Sequence, residues 1–131
     1  MKVALVDDSP EVRDVMTRLL RRIEGVQVAG VAESVSGALA MIDAADPDIV
    51  VLDIELRDQE RGIDVLRHLT RERPEVDVVV LSNYGWGAMR DAFLEAGARA
   101  YFDKAFEFDR AIHWIRVRSG ETPSAHGAAT A

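Results

Sequence analysis

The most constraining feature of the sequence is a repeated pattern in which a short apolar run is followed by a longer amphipathic segment. The clearest runs occupy residues 2–6, 49–52 and 76–82, and none shows an alternation of apolar and polar residues. Runs that are apolar on both faces are typical of parallel strands covered by helices on each side. The amphipathic segments repeat their apolar residues every three or four positions, as helices packed against a sheet do. The pattern therefore predicts a parallel sheet between two layers of helices.

The chain contains five strand–helix cycles with short loops between them. Ser9 and Pro10 are typical of a helix N-cap and a first helical residue, and Gly25 is predicted to end this helix. We predict strands at 2–6, 26–32, 49–52, 76–82 and 99–103, with helices from about 10, at 34–44, around 63–69, around 89–96 and at 107–117. Parallel strands joined by helices require right-handed crossovers. The fold class is thus α/β, a doubly wound five-stranded parallel sheet with helices on both faces.

Size and composition limit the organisation and the class of function. The 131 residues fit one domain, predicted over 1–118, and residues 119–131 lack large apolar side chains and are predicted to be a flexible tail. A formal charge of −7 argues against direct nucleic-acid binding. The absence of cysteine excludes disulfides and thiolate metal sites. No apolar run reaches the roughly 20 residues of a membrane span, and no signal peptide is recognisable, so we predict a cytoplasmic protein.

Polar side chains follow four of the five predicted strands. Asp7 and Asp8 follow the first strand, Asp53 the third, Ser82 ends the fourth and Lys104 follows the fifth. The carboxyl ends of parallel strands meet at one edge of the sheet, where ligands of such folds bind. Three carboxylates in one place repel each other unless a cation lies among them. Oxygen ligands of this kind suit Mg²⁺, so we predict a magnesium site.

These residue types also indicate phosphoryl chemistry. With a metal and a lysine nearby, Asp53 can attack phosphorus and form an aspartyl phosphate. Lys104 would balance the charge of the transferred group, and Ser82 would donate a hydrogen bond to it.

The complete set resembles the receiver domain of bacterial two-component response regulators over residues 2–118. The matching features are the Asp7–Asp8 pair, Asp53 in VVLDIEL, Ser82, and Tyr101 and Lys104 in ARAYFDK. The resemblance implies a flavodoxin-like fold with strand order 2-1-3-4-5. It also implies a phosphorylation-dependent switch that catalyses at most its own phosphorylation and dephosphorylation. Because the residues after Arg118 cannot form an output domain, we expect a stand-alone receiver.

The resemblance further implies roles for individual residues and partners. Asp8, Asp53 and the backbone carbonyl of Glu55 would bind Mg²⁺ directly, Asp7 would act mostly through water, and Ser82 and Tyr101 would form the switch. The phosphoryl donor would be a histidine kinase or a phosphotransfer protein. A downstream protein would bind the face made by the fourth helix, fifth strand and last helix, and a dimer on phosphorylation is also consistent with the family.

Three positions depart from the family pattern. The lysine is followed by Ala105 instead of a proline reached through a cis bond, so a trans bond or a relaxed loop is expected. The loop between Asp53 and Gly62 is one residue longer than the commonest form and lacks its proline. Asn83 is larger than the usual residue after the hydroxyl and would narrow access to the site.

Two aromatic residues next to the site have functional interpretations. Tyr84 is expected to obstruct the approach of the hydrolytic water, so that Tyr84→Ala would shorten the lifetime of a phosphorylated form. Tyr84 and Trp86 could also dock a partner or simply cover the edge of the core, and we favour contact with a partner.

Other functions share some of these residues. A phosphatase of the haloacid dehalogenase type also uses an aspartate nucleophile, Mg²⁺, a hydroxyl and a lysine, but places its nucleophile after the first strand. A docking adaptor that is never phosphorylated would not need the intact site. A receiver fragment of a longer regulator with an output domain is the main alternative to a stand-alone receiver.

Overall fold

The core of the fold is a five-stranded parallel sheet. The computed structural model describes residues 1–83 and 87–120, and within them the strand order is β2-β1-β3-β4-β5. All four neighbouring pairs run parallel. The strands are β1 Lys2–Val6, β2 Gln27–Ala32, β3 Ile49–Leu52, β4 Asp77–Ser82 and β5 Ala100–Asp103. The structure therefore confirms the predicted fold class and strand order.

Each strand is followed by a helix. The helices are α1 Pro10–Arg21, α2 Val35–Ala45, α3 Gly62–Glu72, α4 Ala88–Glu95 and α5 Phe108–Arg118. The Ser9 side chain accepts a hydrogen bond from Val12 N and caps α1, as predicted, and Ser34 caps α2 in the same way through Gly37 N. In the two described ranges, no helix has both the length and the apolar character needed to span a membrane.

The sheet separates two apolar cores, because successive residues of a strand point to opposite faces. In β3, Val50 and Leu52 belong to the core beneath α2, α3 and α4, whereas Ile49 and Val51 belong to the core beneath α1 and α5. All four side chains are buried, which explains why this strand is apolar throughout. The two-sided burial fixes the position of Asp53, the first residue after β3.

The inner face of α4 is narrower than the sequence predicts. Met89, Ala92, Phe93 and Ala96 have the spacing of one face, but only Phe93 is buried, and Met89 is 38% exposed. The helix has eight residues and is anchored mainly by the Phe93 ring, whose centroid lies 6.1 Å from that of Tyr101. Ala96, just after the helix, is half-buried and packs against the same core as predicted. The prediction was wrong for Met89 and Ala92, which are exposed because so short a helix contacts the core over little more than one turn.

Helix α5 ends at Arg118 and is capped by the next residue. Ser119 is the C-cap of α5, and its hydroxyl donates to the carbonyl of Arg116 at 2.7 Å. The first residue assigned to the tail is therefore part of the helix end. Residues 121–131, which make up most of the predicted tail, lie outside the described residues.

Candidate functional site

Backbone hydrogen bonds at the ends of the strands align the predicted site residues along one edge of the sheet. Asp7 N donates to Ala32 O at 3.0 Å, and Asp53 N donates to Val6 O at 2.9 Å. Lys104 N donates to Ser82 O at 2.7 Å. Each bond extends the ladder of the parallel sheet by one residue, so residues from four strand ends meet at the same edge.

Three carboxylates form an acidic cluster at this edge. One oxygen from each of Asp7, Asp8 and Asp53 lies within 4.8 Å of the other two. Asp7 and Asp53 are buried, whereas Asp8 is exposed. Burial, followed by the charge of Asp7, raises the pKa of Asp53 from 3.8 to about 6, although Lys104 opposes this rise. The ionised Asp53 is therefore destabilised in the fold, and a cation among the carboxylates would favour it.

Lys104 bridges the two buried carboxylates. Its Nζ lies 2.8 Å from Asp7 Oδ2 and 3.0 Å from Asp53 Oδ2. Burial disfavours the charged ammonium, but the hydrogen bond to Asp7 and the charges of both aspartates outweigh this effect, and the pKa of Lys104 is raised. Lys104 therefore stays protonated next to Asp53, where it can interact with an incoming anion.

A cleft of about 240 Å³ opens over the acidic cluster. Its walls include Asp8, Asp53 and Lys104, together with the exposed Glu55 and Asn83. Asn83 thus borders the entrance to the site, as expected from its size. The predictions for Tyr84 and Trp86 fall outside the described residues.

Ser82 and Tyr101 lie deeper than the cleft. Ser82 is fully buried and Tyr101 is 5% exposed, with its ring in the core beneath α4. Burial raises the pKa of the Tyr101 phenol, and a contact with Ser82 partly opposes that rise. The two hydroxyls therefore lie near each other, but within the described part of the chain the Tyr101 hydroxyl has no well-formed hydrogen bond. The Tyr101 ring is buried in this structure.

The loop after Lys104 is closed by two acidic side chains. Asp103 Oδ1 accepts from Ala105 N at 2.8 Å and from Phe106 N at 3.0 Å, and Glu107 Oε1 accepts from Asp103 N at 3.0 Å. The Lys104–Ala105 bond is trans, which confirms the expectation for a non-proline residue. The loop leaves the Phe106 side chain 89% exposed.

Gly62 is a site residue that the sequence analysis did not identify. A Cβ atom at this position would lie 2.0 Å from the carbonyl oxygen of Asp53, far inside van der Waals contact. Gly62 N also donates to Ile54 O at 2.6 Å. The first turn of α3 therefore packs directly against the backbone of Asp53. A glycine at the start of a predicted helix, where its helix propensity is poor, was the available signal.

Between Asp53 and Gly62, residues 55–61 form a small hairpin, here named the 55–61 hairpin. Glu55 and Arg61 pair in an antiparallel bridge, and Leu56 N donates to Glu60 O at 2.9 Å. Asp58 and Gln59 at its tip have positive φ angles of 61° and 63°. Two consecutive left-handed residues thus form the turn of this loop, an arrangement that apolar periodicity does not reveal.

Comparison with known sequences agrees with this geometry. The sequence model described as the response regulator receiver domain matches residues 3–116. The chain belongs to this family. It is 32% identical over 116 residues to the response regulator GacA of Pseudomonas aeruginosa, covering 88% of this chain and 54% of that protein. It is 40% identical over 116 residues to the DNA-binding transcriptional activator DevR/DosR of Mycobacterium tuberculosis, covering 86% and 52%. The receiver chain thus spans about half the length of these relatives.

Solved structures show the same receiver fold. A two-component response regulator of the LuxR family from Aurantimonas sp. SI85-9A1 matches with a TM-score of 0.78 at 30% identity, covering 92% of this chain and 86% of that one. The receiver domain of the putative response regulator NarL from Mycobacterium tuberculosis matches with a TM-score of 0.80 at 23% identity, covering 92% and 97%. This second likeness concerns the fold alone.

The donor set of this receiver is compatible with Mg²⁺. All three carboxylates supply hard oxygen ligands, and their oxygens are close enough to share one ion. The raised pKa of Asp53 gives a physical reason why a divalent cation would be bound here.

We expect Asp8→Ala to weaken Mg²⁺ binding more than Asp7→Ala. Asp7 is already engaged by the protein, because its carboxylate accepts from Ser9 N at 2.8 Å and lies 2.8 Å from Lys104 Nζ. Asp8 is exposed and borders the cleft. Calorimetric titration with MgCl₂ would measure the three affinities. Equal affinity in wild type and both variants would contradict the site.

Proposed function

We propose that this receiver accepts a phosphoryl group on Asp53 from a histidine kinase or a phosphotransfer protein, and that phosphorylation alters a protein-docking surface. The observation that supports this most strongly is the placement of Asp53 between an acidic pair and Lys104 at the base of an open cleft. The family match to response regulator receivers is consistent with such a switch.

The proposed reaction uses the carboxylate of Asp53 as the nucleophile. An ionised oxygen attacks phosphorus of a phosphohistidine whose second ring nitrogen is protonated. The P–N bond breaks, neutral imidazole leaves with the electron pair of that bond, and a P–O bond to Asp53 forms. Bound Mg²⁺, held by Asp8, Asp53 and the Glu55 carbonyl with Asp7 acting through water, would neutralise charge on the phosphoryl oxygens. Lys104 would exchange its contact with Asp53 for one with the transferred group.

The proposal is tested by mass spectrometry of the intact protein. Incubation with a small acyl phosphate and MgCl₂ should add one phosphoryl group to the wild type and none to Asp53→Asn. Asp58→Asn is the matched control, because it removes a neighbouring exposed carboxylate from the same loop and should leave labelling unchanged. Labelling that persists in Asp53→Asn would show that another residue is the acceptor.

The proposed activity is a switch without substrate turnover. In the dehalogenase-type alternative the nucleophile follows the first strand of the core, but here the acidic cluster is built around Asp53 after β3, and the matched family is that of receivers. A docking adaptor that is never phosphorylated would have no use for a buried lysine paired with two carboxylates, as Lys104 is here. Hydrolysis of phosphate esters by the purified protein would argue against the switch.

The proposed signal path runs from Asp53 through Ser82 to Tyr101. A phosphoryl group brings a charge of roughly −1.5 to −2 and strong acceptor oxygens, which attract the Ser82 hydroxyl. Because Ser82 and Tyr101 are both buried near each other, movement of Ser82 would change how firmly the Tyr101 ring is held. Tyr101 contacts Phe93 of α4. A change at Tyr101 would therefore shift the equilibrium between two conformations of the surface formed by α4, β5 and α5.

Chemical shifts of backbone amides should report this path. Phosphorylation of the wild type is expected to move the signals of Asp53, Tyr101 and Phe93. In Ser82→Ala the signals near Asp53 should still move, whereas those of Tyr101 and Phe93 should move much less. Changes confined to the neighbourhood of Asp53 in the wild type would contradict the proposed coupling.

The proposed docking surface is the face formed by α4, β5 and α5. A groove of about 470 Å³ lies between β5 and α5, with apolar side chains from Phe102, Trp114 and Val117. Val117 is 56% exposed, so part of this surface is available to a partner. Sedimentation of the phosphorylated and unmodified protein would distinguish a phosphorylation-dependent dimer from binding of a different downstream protein.

A further inference from the structure

The 55–61 hairpin is fastened to the start of α2 by one side chain. Glu60 Oε1 accepts a hydrogen bond from Val35 N at 2.7 Å, and Val35 is the first residue of α2. The first amides of a helix have no partner within the helix and attract negative charge. Ser34 satisfies the amide of Gly37, and Glu60 satisfies that of Val35. The hairpin thus supplies part of the cap of a neighbouring helix.

A second set of contacts connects the hairpin to the acidic pair. Arg57 N donates to Glu33 O at 2.9 Å, and the Arg57 guanidinium pairs with the Glu33 carboxylate at 2.8 Å. Arg13 lies 3.7 Å from the same carboxylate and donates to the backbone carbonyl of Asp7 at 2.6 Å. The Arg57 side chain is 58% exposed, so its ion pair contributes little alone. The partly buried bond from Val35 to Glu60 is the stronger attachment.

These attachments restrict the backbone of Glu55. Its neighbours Ile54 and Leu56 are 6% and 3% exposed, and Leu56 N is bonded to the carbonyl of Glu60. On the other side of the hairpin, Arg61 pairs with Glu55 itself. Any movement of Glu60 away from α2 would therefore shift the strand of the hairpin that contains Glu55.

We propose that Glu60 is a positioning residue that fixes the Glu55 backbone at the cleft bordered by Asp8 and Asp53, by tying the 55–61 hairpin to α2. This inference rests on the proposed function, in which the Glu55 carbonyl is a metal ligand. Groups that orient metal ligands typically change metal affinity by 10–100-fold when removed. Glu60 thereby sets the Mg²⁺ concentration at which the site becomes competent, without touching the phosphoryl group.

Four variants test the role of this bond. Glu60→Ala removes the acceptor, and Glu60→Gln keeps an acceptor oxygen without the charge. Val35→Pro removes the donor from the other side, and proline suits the first position of a helix after an extended residue such as Ser34. Asp58→Asn is the control, because it changes the charge of the same hairpin without a contact to α2.

The measurements are Mg²⁺ affinity by titration with MgCl₂, hydrogen exchange of the Val35 amide, and the rate of labelling by acyl phosphate at low and saturating Mg²⁺. Glu60→Ala should weaken Mg²⁺ binding by about tenfold and accelerate exchange of the Val35 amide, whereas Glu60→Gln and Asp58→Asn should stay within about twofold of wild type. The labelling rate of Glu60→Ala should recover at saturating Mg²⁺. Val35→Pro should weaken Mg²⁺ binding similarly. The Glu60→Ala/Val35→Pro double variant should bind Mg²⁺ no more weakly than either single variant, because both changes remove the same hydrogen bond.

The inference and the proposed function fail in different ways. Unchanged Mg²⁺ affinity in both Glu60→Ala and Val35→Pro, or unchanged Val35 exchange in Glu60→Ala, would overturn the positioning role even if Asp53 is phosphorylated normally. A labelling defect in Glu60→Ala that persists at saturating Mg²⁺ would also overturn it. Absence of labelling on wild-type Asp53 would refute the proposed function, and the affinity and exchange data would still report on the hairpin.

Discussion

Asp53→Asn should raise the free energy of unfolding near pH 7.5 by roughly 2–3 kcal/mol, since each unit of pKa shift corresponds to about 1.4 kcal/mol. Burial, followed by the charge of Asp7, raises the pKa of this carboxyl from 3.8 to about 6. The folded state therefore binds the proton more tightly than the unfolded chain. Stability contributed by this group is lost as the pH rises from about 4 to about 6, and the full destabilisation is present above about pH 7.

Urea unfolding at several pH values, without divalent cations, would measure this effect. The difference between Asp53→Asn and wild type should be largest at pH 7.5 and should narrow as the pH falls toward 4.5. Lys104 keeps its contact with Asp7 in the variant, so no buried ammonium is left unpaired. Asp8→Asn is the control, because Asp8 is exposed and its neutralisation should have a smaller effect. Equal stability of Asp53→Asn and wild type at pH 7.5 would contradict the raised pKa.

Gly62→Ala should destabilise the protein by about 2 kcal/mol or more, within the range expected for overpacking against a rigid neighbour. On an ordinary helix the same replacement stabilises by about 1 kcal/mol, so the predicted sign is reversed. The reason is the 2.0 Å distance between the added Cβ and the carbonyl oxygen of Asp53. Relief of this clash would move either α3 or the backbone of Asp53. The rate at which Asp53 is labelled by acyl phosphate should therefore also fall at least tenfold.

Gly37→Ala provides a comparison in the first turn of another helix. Its Cβ would meet the Ser34 Oγ at 2.9 Å, a side-chain atom that can shift only by weakening the cap of α2. Loss of such a cap costs about 1 kcal/mol, so a smaller destabilisation than in Gly62→Ala is expected. Chemical denaturation would measure the free energy of unfolding of both variants. The rate of labelling by acyl phosphate would measure the reactivity of Asp53. A Gly62→Ala protein as stable and as reactive as wild type would show that the close contact with Asp53 can relax freely.

The helix on each connection follows from local apolar patterns, and the strand order follows from the resemblance to receivers. The structure confirms both. Runs such as β3 leave no polar face, so they must be central strands of a sheet covered on both sides. The convergence of Asp7, Asp53 and Lys104 follows from parallel topology, because the carboxyl ends of parallel strands share one edge. The sequence also predicted the Ser9 cap and the trans bond at Ala105.

Contacts between segments distant in the chain were decided only by the tertiary structure. Gly62 against Asp53 and Glu60 against Val35 join different elements, and apolar periodicity does not encode such pairs. The same holds for α4, whose apolar spacing predicted four inward residues although Met89 and Ala92 are exposed. The sequence alone determined which residue types reach the edge of the sheet, because strand periodicity is local. The depth of Tyr101, the raised pKa of Asp53 and the attachment of the 55–61 hairpin depend on burial and distance, which exist only once the layers have packed.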